Sequence, residues 1–367
     1  MTDKRLQLLV ELLDKNHLEA VAINPGSTLT YLTGLHFHLM ERPTLLLISK
    51  YTPPMLILPE LEIGKVNQSR IPLQPVTFAD DPAAWPDVFV SAVKKSGLNH
   101  AKIGVEPTRL RYLELNYLQN AAPSAQFVAA DTLFSELRLC KDPSEIKSMR
   151  EAIRIAQEAL TATLPIIQPG HSEKEISAEL VINLFRLGSE PELPFAPIVA
   201  GGPNSANPHA APTDRALCFG DLLVIDWGAS YEGYFSDLTR TFAIGEVDPE
   251  LRLIYETVKE ANAAGRAAGG PKLKAGTVDQ AARAIIEKAG YGKYFTHRTG
   301  HGLGMEAHEE PYMFGANEQI LEPGMVYTVE PGIYLPGRGG VRIEDNMVVT
   351  TDGAETMSSF SREFRAL

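Results

Sequence analysis

The sequence predicts a protein of the mixed α/β (α+β) class with two domains. Residues 1–138 alternate short apolar runs, typical of strands, with helical segments, which indicates a smaller α/β domain. Residues 139–367 contain two similar halves, each predicted as two helices followed by a hairpin that carries acidic residues. At the start of the second domain, Asp142-Pro143-Ser144-Glu145 supplies an N-cap, a proline at the first helical position and a glutamate at N3. We therefore place the domain boundary just before this signal.

The N-terminal domain is expected to begin with a helix, because four apolar residues recur at helical spacing: Leu6, Leu9, Val10 and Leu13. Four short apolar runs then predict strands: Ala20 to Ile23, Leu45 to Ile48, Pro54 to Leu58 and Lys102 to Val105. A further helix is predicted from Arg109 to Gln119. This alternation is what assigns the domain to the α/β class.

The helices of the C-terminal domain are predicted from their start signals. The first runs from Pro143 to about Leu164. Two later segments have the form of a capping box and mark the second helix of each half: Ser172-Glu173-Lys174-Glu175 and Thr277-Val278-Asp279-Gln280. The glycines that precede these segments, Gly170 and Gly276, are 106 residues apart, which supports an internal duplication.

The first hairpin of the C-terminal domain is predicted to bring two aspartates together. The apolar run Leu222 to Ile225 ends at Asp226, and the alternating stretch Ser236 to Ile244 contains Asp237. A turn centred on Tyr231-Glu232 would place Asp226 and Asp237 opposite each other on one face. The two aspartates are therefore expected to be cross-strand neighbours.

The second hairpin repeats this pattern with two glutamates. A turn centred on Gly337 would place Glu330 opposite Glu344. Asp226 and Glu330 are 104 residues apart, and Asp237 and Glu344 are 107 apart, so the two hairpins are predicted to be related by a pseudo-two-fold axis. Four ionised carboxylates that meet at this axis would repel each other, and two divalent cations would cancel their charge.

Four segments carry a more specific pattern: His297-Arg298-Thr299-Gly300-His301-Gly302-Leu303-Gly304, His308-Glu309-Glu310-Pro311, Ser236-Asp237-Leu238-Thr239-Arg240-Thr241-Phe242 and Val329-Glu330-Pro331-Gly332. Together they resemble the pita-bread metallopeptidases, and within them the proline-specific branch of prolidase (Xaa-Pro dipeptidase) and aminopeptidase P. The match spans roughly residues 140 to 355, with a weaker one at Tyr31-Leu32-Thr33-Gly34. The resemblance implies a C-terminal pita-bread domain with an internal pseudo-two-fold repeat, after a creatinase/prolidase-like N-terminal domain.

The resemblance also implies the metal ligands. Asp226 would bind one ion, His301 and Glu330 the other, and Asp237 and Glu344 would bridge the two. Oxygen ligands with one imidazole suit Mn²⁺ or Co²⁺, with Zn²⁺ or Fe²⁺ as further candidates, and argue against a closed structural zinc site. A water between two such ions becomes a hydroxide nucleophile, and Glu330 would act as the proton shuttle.

The same resemblance gives roles to three further histidines. His209 and His308 would flank the substrate and donate hydrogen bonds to the scissile carbonyl or to the leaving proline nitrogen, and His297 would support the ligands. In relatives the N-terminal domain closes over the site, but the roles of His36 and His38 stay open.

Two positions concern the binding of carboxylates, one for the acidic side chains of the site and one for the carboxylate of the substrate. Arg342 lies two residues before Glu344, on the same strand face, and is expected to hold the acidic side chains. Some dipeptide-specific relatives carry an arginine four residues after the histidine equivalent to His308, suited to the carboxylate of the substrate, whereas this chain has Tyr312. The other candidates for this task are Arg42, Arg298 and Arg338.

The leading prediction is therefore a dinuclear metallopeptidase that removes the residue before proline, as prolidase does on dipeptides. Aminopeptidase P, which acts on longer Xaa-Pro peptides, is the alternative. Methionine aminopeptidase fits less well, because about 140 residues precede the pita-bread domain. A non-catalytic binding module or a creatinase-like hydrolase would be expected to lack ligands that this chain retains.

Composition excludes several other classes. With 34 basic and 46 acidic residues the net charge is −12, so nucleic acid is not an expected partner. No apolar run approaches the about 18 residues of a membrane helix, and the amino terminus does not resemble a signal peptide, which favours a cytoplasmic protein. Cys140 and Cys218 fit a reducing compartment. The expected partners are small peptides with proline in the second position and, by the resemblance, a second copy in a homodimer.

Overall fold

A computed structural model describes residues 4–367 of the chain. The chain divides into two compact units, one ending at Arg138 and the other starting at Leu139. Both units combine helices with sheets, as the sequence predicted. None of the helices within residues 4–367 combines the length and the apolar character that a membrane crossing requires.

The N-terminal unit contains a six-stranded sheet with the order β4-β3-β2-β1-β5-β6. Its elements are α1 (Lys4–Lys15), β1 (Ala20–Ile23), α2 (Ser27–Thr33), β2 (Leu45–Ser49), β3 (Met55–Pro59), β4 (Gln74–Phe78), α3 (Trp85–Ser96), β5 (Lys102–Val105), α4 (Tyr112–Ala121), β6 (Gln126–Ala129) and α5 (Asp131–Leu139). The four predicted strands are present to within one residue, because each is an apolar run buried on both faces.

The C-terminal unit repeats one order of elements, two helices followed by strands. The first half contains α6 (Pro143–Thr163), α7 (Glu173–Arg186), β7 (Ile198–Gly201), β8 (Leu222–Trp227), β9 (Ser230–Tyr231), β10 (Tyr234–Phe235) and β11 (Leu238–Ala243). The second half contains α8 (Pro249–Ala267), α9 (Gly276–Lys288), β12 (Gly300–Gly302), β13 (Glu309–Met313), β14 (Val326–Val329), β15 (Gly332–Leu335), β16 (Gly339–Arg342), β17 (Asp345–Val349) and β18 (Ala354–Thr356).

The three predicted helix starts are confirmed, and two of them have the predicted cap. Asp142 caps α6 and Ser172 caps α7, each in a complete capping box. The third helix, α9, begins at Gly276 as predicted, but the capping box predicted at Thr277 is wrong, because this helix start has no side-chain cap. The Thr277 hydroxyl donates to the carbonyl of Lys274 at 2.6 Å, and the Gln280 amide donates to a distant loop, so neither side chain can cap the helix.

The first hairpin differs in register from its prediction. Asp226 lies opposite Thr239, and Asp237 lies just before β11, so the two aspartates do not face each other. The turn is at Glu232-Gly233, where φ is 51° and 76°, as a two-residue turn with both φ angles positive requires. The turn therefore lies one residue later than predicted, which shifts the pairing by two residues.

The second hairpin has the predicted register. Val329 pairs with Asp345 between β14 and β17, and Gly332 pairs with Arg342 between β15 and β16. Both pairings place Glu330 opposite Glu344, and the turn contains Gly337 with φ 74°. The two glutamates of the second half are therefore brought together by the hairpin itself.

Candidate metal centre and substrate cavity

The five residues predicted as metal ligands all line one cavity of about 530 Å³ in the C-terminal unit. Ligand atoms of Asp237, His301 and Glu344 lie within 4.8 Å of one another. The Nε2 atom of His301 is 3.4 Å from Oε1 of Glu330 and 3.7 Å from Oδ2 of Asp237. Asp226 completes the group as a lining residue of the same cavity.

A bridge between the two sheets explains how residues from both halves converge. Thr239 of β11 pairs with Glu344, and the Glu344 N–H donates to the Thr239 carbonyl at 3.1 Å. This contact joins the three-stranded sheet β11-β8-β7 of the first half to the five-stranded sheet β13-β12-β14-β17-β18 of the second. Asp226 and Asp237 on one side and Glu344 on the other therefore meet where the sheets join.

The acidic residues are buried and close enough to repel each other. Burial, followed by the charges of Glu344, Asp226 and Glu330, raises the pKa of Asp237 well above its ordinary value. Burial and neighbouring acids likewise raise the pKa of Glu344, and burial raises that of Glu330 to about 7. An acidic group arranged in this way favours the binding of cations.

The histidine of the group is held in the form that binds metals. Burial, followed by the nearby His308 ring, lowers the pKa of His301 well below its ordinary value, so that its imidazole is neutral. The Nδ1 atom of His301 is 3.1 Å from the carbonyl of Gly302, which orients the ring and leaves Nε2 directed at the acids.

Two buried oxygen atoms support the assignment of a cation site. Oδ1 of Asp226 and Oε1 of Glu344 have no hydrogen-bond partner among the described residues. The second oxygen of each carboxylate is bound, by Arg342 in one case and by Thr239 in the other. Buried polar atoms normally have partners, and carboxylate oxygens are ligands that divalent cations accept. The residues present therefore fit the metal ions that the sequence predicts.

Arg342 connects several parts of the site. Its buried guanidinium donates to Oδ2 of Asp226 at 2.6 Å, to the Tyr334 hydroxyl at 2.8 Å, to the Thr239 hydroxyl at 3.1 Å and to the Pro208 carbonyl at 3.2 Å. It thereby holds one oxygen of Asp226 away from the cavity and leaves the other oxygen for a ligand.

Two contributors were missed by sequence reasoning. The hydroxyl of Thr239 donates to Oε2 of Glu344 at 2.7 Å, and that of Tyr334 lies 2.9 Å from Nε2 of His297. Thr239 could have been found from its spacing, because it lies two residues after Asp237 in an extended segment. Tyr334 has no comparable signal, since its partners come from other elements.

His297 has both ring nitrogens engaged within the protein. Its Nδ1 atom is 2.7 Å from the carbonyl of Arg298, so this nitrogen carries the hydrogen. The hydroxyl of Tyr334 accepts from Arg342 and can donate to Nε2 of His297. Burial, followed by the charge of Arg342, lowers the pKa of His297 to about 4, so the ring is neutral. This arrangement suits a residue that supports the site.

The other predicted histidines lie at the open side of the cavity. His209 and His308 both line it and are exposed, and the His308 ring centroid is 4.1 Å from that of His301. Apolar side chains complete the lining: Phe195, Ala196, Ile198 and Ala307. A cavity that combines donors with an apolar wall can bind a compact, partly apolar molecule next to the acids.

Of the three arginines predicted to bind a carboxylate, Arg298 alone lines the cavity. Its guanidinium lies 4.2 Å from the centroid of the Tyr312 ring, which itself is not a lining residue. Arg338 forms exposed ion pairs with Asp248 and Glu250, and Arg42 of the N-terminal unit pairs with two acids of that unit. His36 and His38 are exposed in the N-terminal unit, and their roles stay open.

Comparison with known proteins agrees with this site. Metallopeptidase family M24 matches residues 147–351, and the creatinase/prolidase N-terminal domain matches residues 5–140. The Xaa-Pro dipeptidase of Pyrococcus horikoshii is 34% identical over 362 residues, 98% of each chain.

Solved structures show the same likeness over the whole chain. The prolidase of Thermococcus sibiricus has a TM-score of 0.94 and 33% identity, with 100% of both chains covered. The X-Pro aminopeptidase of Thermotoga maritima has a TM-score of 0.86 and 30% identity, with 99% of both chains covered. With a cavity in which buried acids meet a neutral histidine, and with relatives that match it from end to end, the chain belongs to metallopeptidase family M24.

Proposed function

We propose that this metallopeptidase is an Xaa-Pro dipeptidase that hydrolyses the bond between the first residue and proline. The observation that carries the proposal is the cluster of buried acids and His301 at the base of a cavity that also holds Arg298. The named Xaa-Pro dipeptidase and prolidase relatives, which match the chain over nearly its whole length, support the same substrate class.

The proposed cofactor is a pair of divalent cations, Mn²⁺ or Co²⁺ in preference to Zn²⁺ or Fe²⁺. The residues that would hold them are the four acids and one histidine of the cluster: Asp226, Asp237, His301, Glu330 and Glu344. When bound, such cations supply Lewis acidity, which lowers the pKa of water and polarises a carbonyl group. The unpartnered oxygens of Asp226 and Glu344 are the observation that supports metal binding by these residues.

The protein side chains would bind the substrate and move protons. Glu330 lies against His301 at 3.4 Å and lines the cavity, and we assign it the transfer of a proton to the leaving nitrogen. His209 and His308, at the open side, would donate hydrogen bonds to the scissile carbonyl or to the leaving proline nitrogen. His297, with both nitrogens engaged, would hold Tyr334 and Arg342 in place.

The apolar lining of the cavity suits a proline residue of the substrate. The tertiary amide of proline has no N–H and its ring fixes the backbone, so a site cannot bind it by ordinary strand pairing. The apolar wall formed by Phe195, Ala196 and Ile198 offers a surface for the ring instead. Binding would then depend on shape and on the charged end of the substrate.

Arg298 is the proposed partner of the dipeptide carboxylate. Among the described residues no acid lies within ion-pair distance of its guanidinium, which stacks on Tyr312 and faces the cavity. A free arginine beside an apolar wall suits a substrate that ends with the proline carboxylate. Tyr312 occupies the position at which some relatives carry an arginine. In this chain it would act indirectly, by holding the guanidinium of Arg298.

A comparison of three substrates tests the reaction. Purified protein with Mn²⁺, Co²⁺ or a chelator is offered Ala-Pro, Ala-Pro-Ala and Met-Ala-Ser. We expect metal-dependent cleavage of Ala-Pro with a large preference over the other two. Preferred cleavage of Ala-Pro-Ala would instead indicate an aminopeptidase P, the alternative that the X-Pro aminopeptidase likeness supports. Release of Met would contradict proline specificity, and no hydrolysis would favour a binding module.

The role of Arg298 is tested with an uncharged substrate. Wild-type protein should prefer Ala-Pro over its C-terminal amide by about 10- to 100-fold, the usual contribution of a hydrogen bond to a charged group. Arg298→Met should remove this preference, mainly through KM. Arg338→Met, which removes an exposed arginine from the second hairpin, is the matched control and should keep it. An unchanged preference in Arg298→Met would assign the carboxylate to another residue.

Three further points belong to this proposal. We propose that the protein is a cytoplasmic homodimer, and that residues 1–138 and 139–367 are its two domains. Light scattering after gel filtration should give about twice the chain mass of 40.1 kDa, and a mass equal to one chain would contradict the dimer. Cell fractionation tests the compartment, and proteolysis near residues 138–142 tests the boundary.

A further inference from the structure

Two buried carboxylates occupy matching places in the two halves of the C-terminal unit. Glu173 is the first residue of α7 and Asp279 lies in the first turn of α9, and they are 106 residues apart. Their exposed fractions are 0% and 2%. Neither residue lines the cavity, and neither was predicted as a site residue. A buried carboxylate is costly unless its oxygens accept hydrogen bonds, so their partners matter.

Glu173 binds both ends of the segment that carries His209, residues 201–213, here called the His209 segment. Its Oε1 accepts from the Gly201 N–H at 2.7 Å. Its Oε2 accepts from the Thr213 N–H at 2.9 Å, from the Thr213 hydroxyl at 2.6 Å and from the Asn204 amide at 2.9 Å. One side chain therefore closes the segment into a loop.

The contacts continue from Glu173 to His209 itself. The Asn204 carbonyl accepts from the Asn207 N–H at 3.0 Å, and the side-chain oxygen of Asn207 accepts from the His209 N–H at 3.2 Å. Gly202 allows the tight entry into the loop, because its φ is 51° and a Cβ there would come within 2.3 Å of Asp221. The backbone of His209 is thus fixed relative to the Glu173 carboxylate.

Asp279 makes the same contact in the second half. Its Oδ1 accepts from the Thr299 N–H at 3.1 Å and from the Thr299 hydroxyl at 2.7 Å. Thr299 lies between His297 and His301, in residues 297–301, here called the His301 segment. Arg283 pairs with both oxygens of Asp279 and also donates to the carbonyl of His297 at 2.8 Å. The carboxylate again holds a histidine-bearing segment through one threonine.

We propose that Glu173 and Asp279 are positioning residues, Glu173 for His209 and Asp279 for His301. The same arrangement, an acid at the start of the second helix that binds the N–H and hydroxyl of one threonine, occurs in both halves with a histidine within four residues of the threonine. The inference rests on the proposed function, in which His209 contacts substrate and His301 binds a cation. The two residues then control different properties. Glu173 controls turnover, and Asp279 controls the affinity for the metal.

The role of Glu173 is tested by Glu173→Gln, with Glu175→Gln as the matched control. A glutamine places an N–H₂ group against donors of the His209 segment, whereas Glu175 is exposed and contacts only Ser172. Glu173→Gln should lower kcat for Ala-Pro by about 10- to 100-fold, as removal of supporting partners typically does, and leave Mn²⁺ affinity unchanged. Hydrogen exchange should rise in residues 202–212. Glu175→Gln should change none of these.

A double-mutant cycle separates positioning from a general loss of stability. If Glu173 acts through His209, Glu173→Gln should cause little further loss in a His209→Ala background. An equal loss in both backgrounds, or unchanged exchange in residues 202–212, would overturn the proposal. If Glu173→Gln does not fold, Thr213→Val replaces it in the cycle and Thr213→Ser serves as its control. Full activity of His209→Ala would instead contradict the proposed function.

The role of Asp279 is tested by metal binding, measured by calorimetry with Mn²⁺ on the metal-depleted protein. Asp279→Asn should weaken binding by about 10- to 100-fold. Thr299→Val, which removes one donor of the contact, should weaken it as well, and Thr299→Ser should restore wild-type affinity. Thr299→Val and Asp279→Asn with wild-type affinity would overturn the proposal. Wild-type affinity in His301→Ala would instead contradict the assignment of His301 as a ligand.

Discussion

The two hairpins of the C-terminal unit carry acids in similar places, but they stabilise them differently. In the first, one oxygen of Asp226 is bound by Arg342, a cation from β16 of the second half. In the second, one oxygen of Glu344 is bound by Thr239, a hydroxyl from β11 of the first half. Each half therefore supplies the partner for an acid of the other half, and neither half could form the site by itself.

The difference in partners also leaves an uneven charge. Arg342 compensates Asp226, whereas Asp237, Glu330 and Glu344 have no arginine or lysine within ion-pair distance in the part of the chain that the structure describes. The pKa of each of these three acids is raised, with burial as the first cause. Cation binding should thus stabilise the side of the site away from Arg342 most strongly.

The largest effect is expected from Asp237→Asn, which removes a charge from this uncompensated side. Hydrolysis of Ala-Pro should fall roughly a thousandfold or more, equivalent to about 4 kcal/mol at 1.36 kcal/mol per tenfold. The metal-depleted variant should unfold at a higher temperature than metal-depleted wild type, because one repelling charge is gone. Added Mn²⁺ should raise the unfolding temperature of the variant less than that of wild type.

Calorimetric unfolding with chelator and with Mn²⁺ measures the two differences in unfolding temperature. A turnover assay with Ala-Pro measures the loss of hydrolysis. Retained turnover in Asp237→Asn would contradict a role for this residue in binding both cations. A lower unfolding temperature of the metal-depleted variant would contradict the repulsion between the acids.

Arg342→Met should disrupt the side of the site where Arg342 compensates the charge of Asp226. It leaves the buried Asp226 carboxylate without its partner, which typically costs about 3–5 kcal/mol of the free energy of unfolding. The Pro208 carbonyl and the Tyr334 hydroxyl lose a donor as well, so turnover should also fall. Chemical denaturation measures the first effect and the Ala-Pro assay the second.

Arg338→Met is the matched control for this change, since Arg338 lies on the same hairpin in exposed ion pairs with Asp248 and Glu250. Its free energy of unfolding should stay within about 1 kcal/mol of wild type. If the two variants lost equal stability, the buried pair with Asp226 would not be the stabilising element.

Thr239→Val should have an intermediate effect, on the side of Glu344. It removes the hydroxyl that donates to Glu344 and accepts from Arg342, while the volume of the side chain is kept. Loss of such a partner typically weakens metal affinity or activity by about 10- to 100-fold. Calorimetry with Mn²⁺ checks the affinity.

Thr241→Val tests whether the effect of Thr239→Val on Mn²⁺ affinity arises from the lost contact with Glu344. Thr241 lies on the same strand, is also buried, and contacts only the backbone of Arg342. Its variant should retain wild-type Mn²⁺ affinity, although stability falls. Equal losses in Thr239→Val and Thr241→Val would indicate that the strand, and not Glu344, had been disturbed.

The sequence predicted the members of the site better than their geometry. The four acids and His301, Arg342 and the other cavity-lining histidines all lie in one place, because their motifs and strand ends are local features. Thr239 could have been found from its spacing to Asp237, whereas Tyr334 has no such signal, because its partners His297 and Arg342 come from other elements. Glu173 and Asp279 could have been found, since the 106-residue offset relates them.

The two hairpin turns show why one register was predicted and the other was not. Gly337 adopts φ 74° in a glycine-rich segment, residues 336–340, and this composition indicates where the turn is centred. In the first hairpin a positive φ falls on Glu232, a residue type that rarely adopts it, and the turn was placed one residue too early. The residue type of Glu232 gave no indication of the left-handed conformation.

The smallest effect is expected from changes to these two turns. Gly337→Ala adds a Cβ in open space but at φ 74°, which costs about 1–2 kcal/mol in the left-handed region. Unfolding should therefore occur a few degrees lower, at roughly 2–4 °C per kcal/mol, with unchanged turnover. Glu232→Gly relieves a positive φ but loses the hydrogen bond from the Ser148 hydroxyl at 2.6 Å, so the two effects should nearly cancel. A larger loss in Glu232→Gly than in Gly337→Ala would show that the side chain of Glu232, rather than its backbone, holds the first turn.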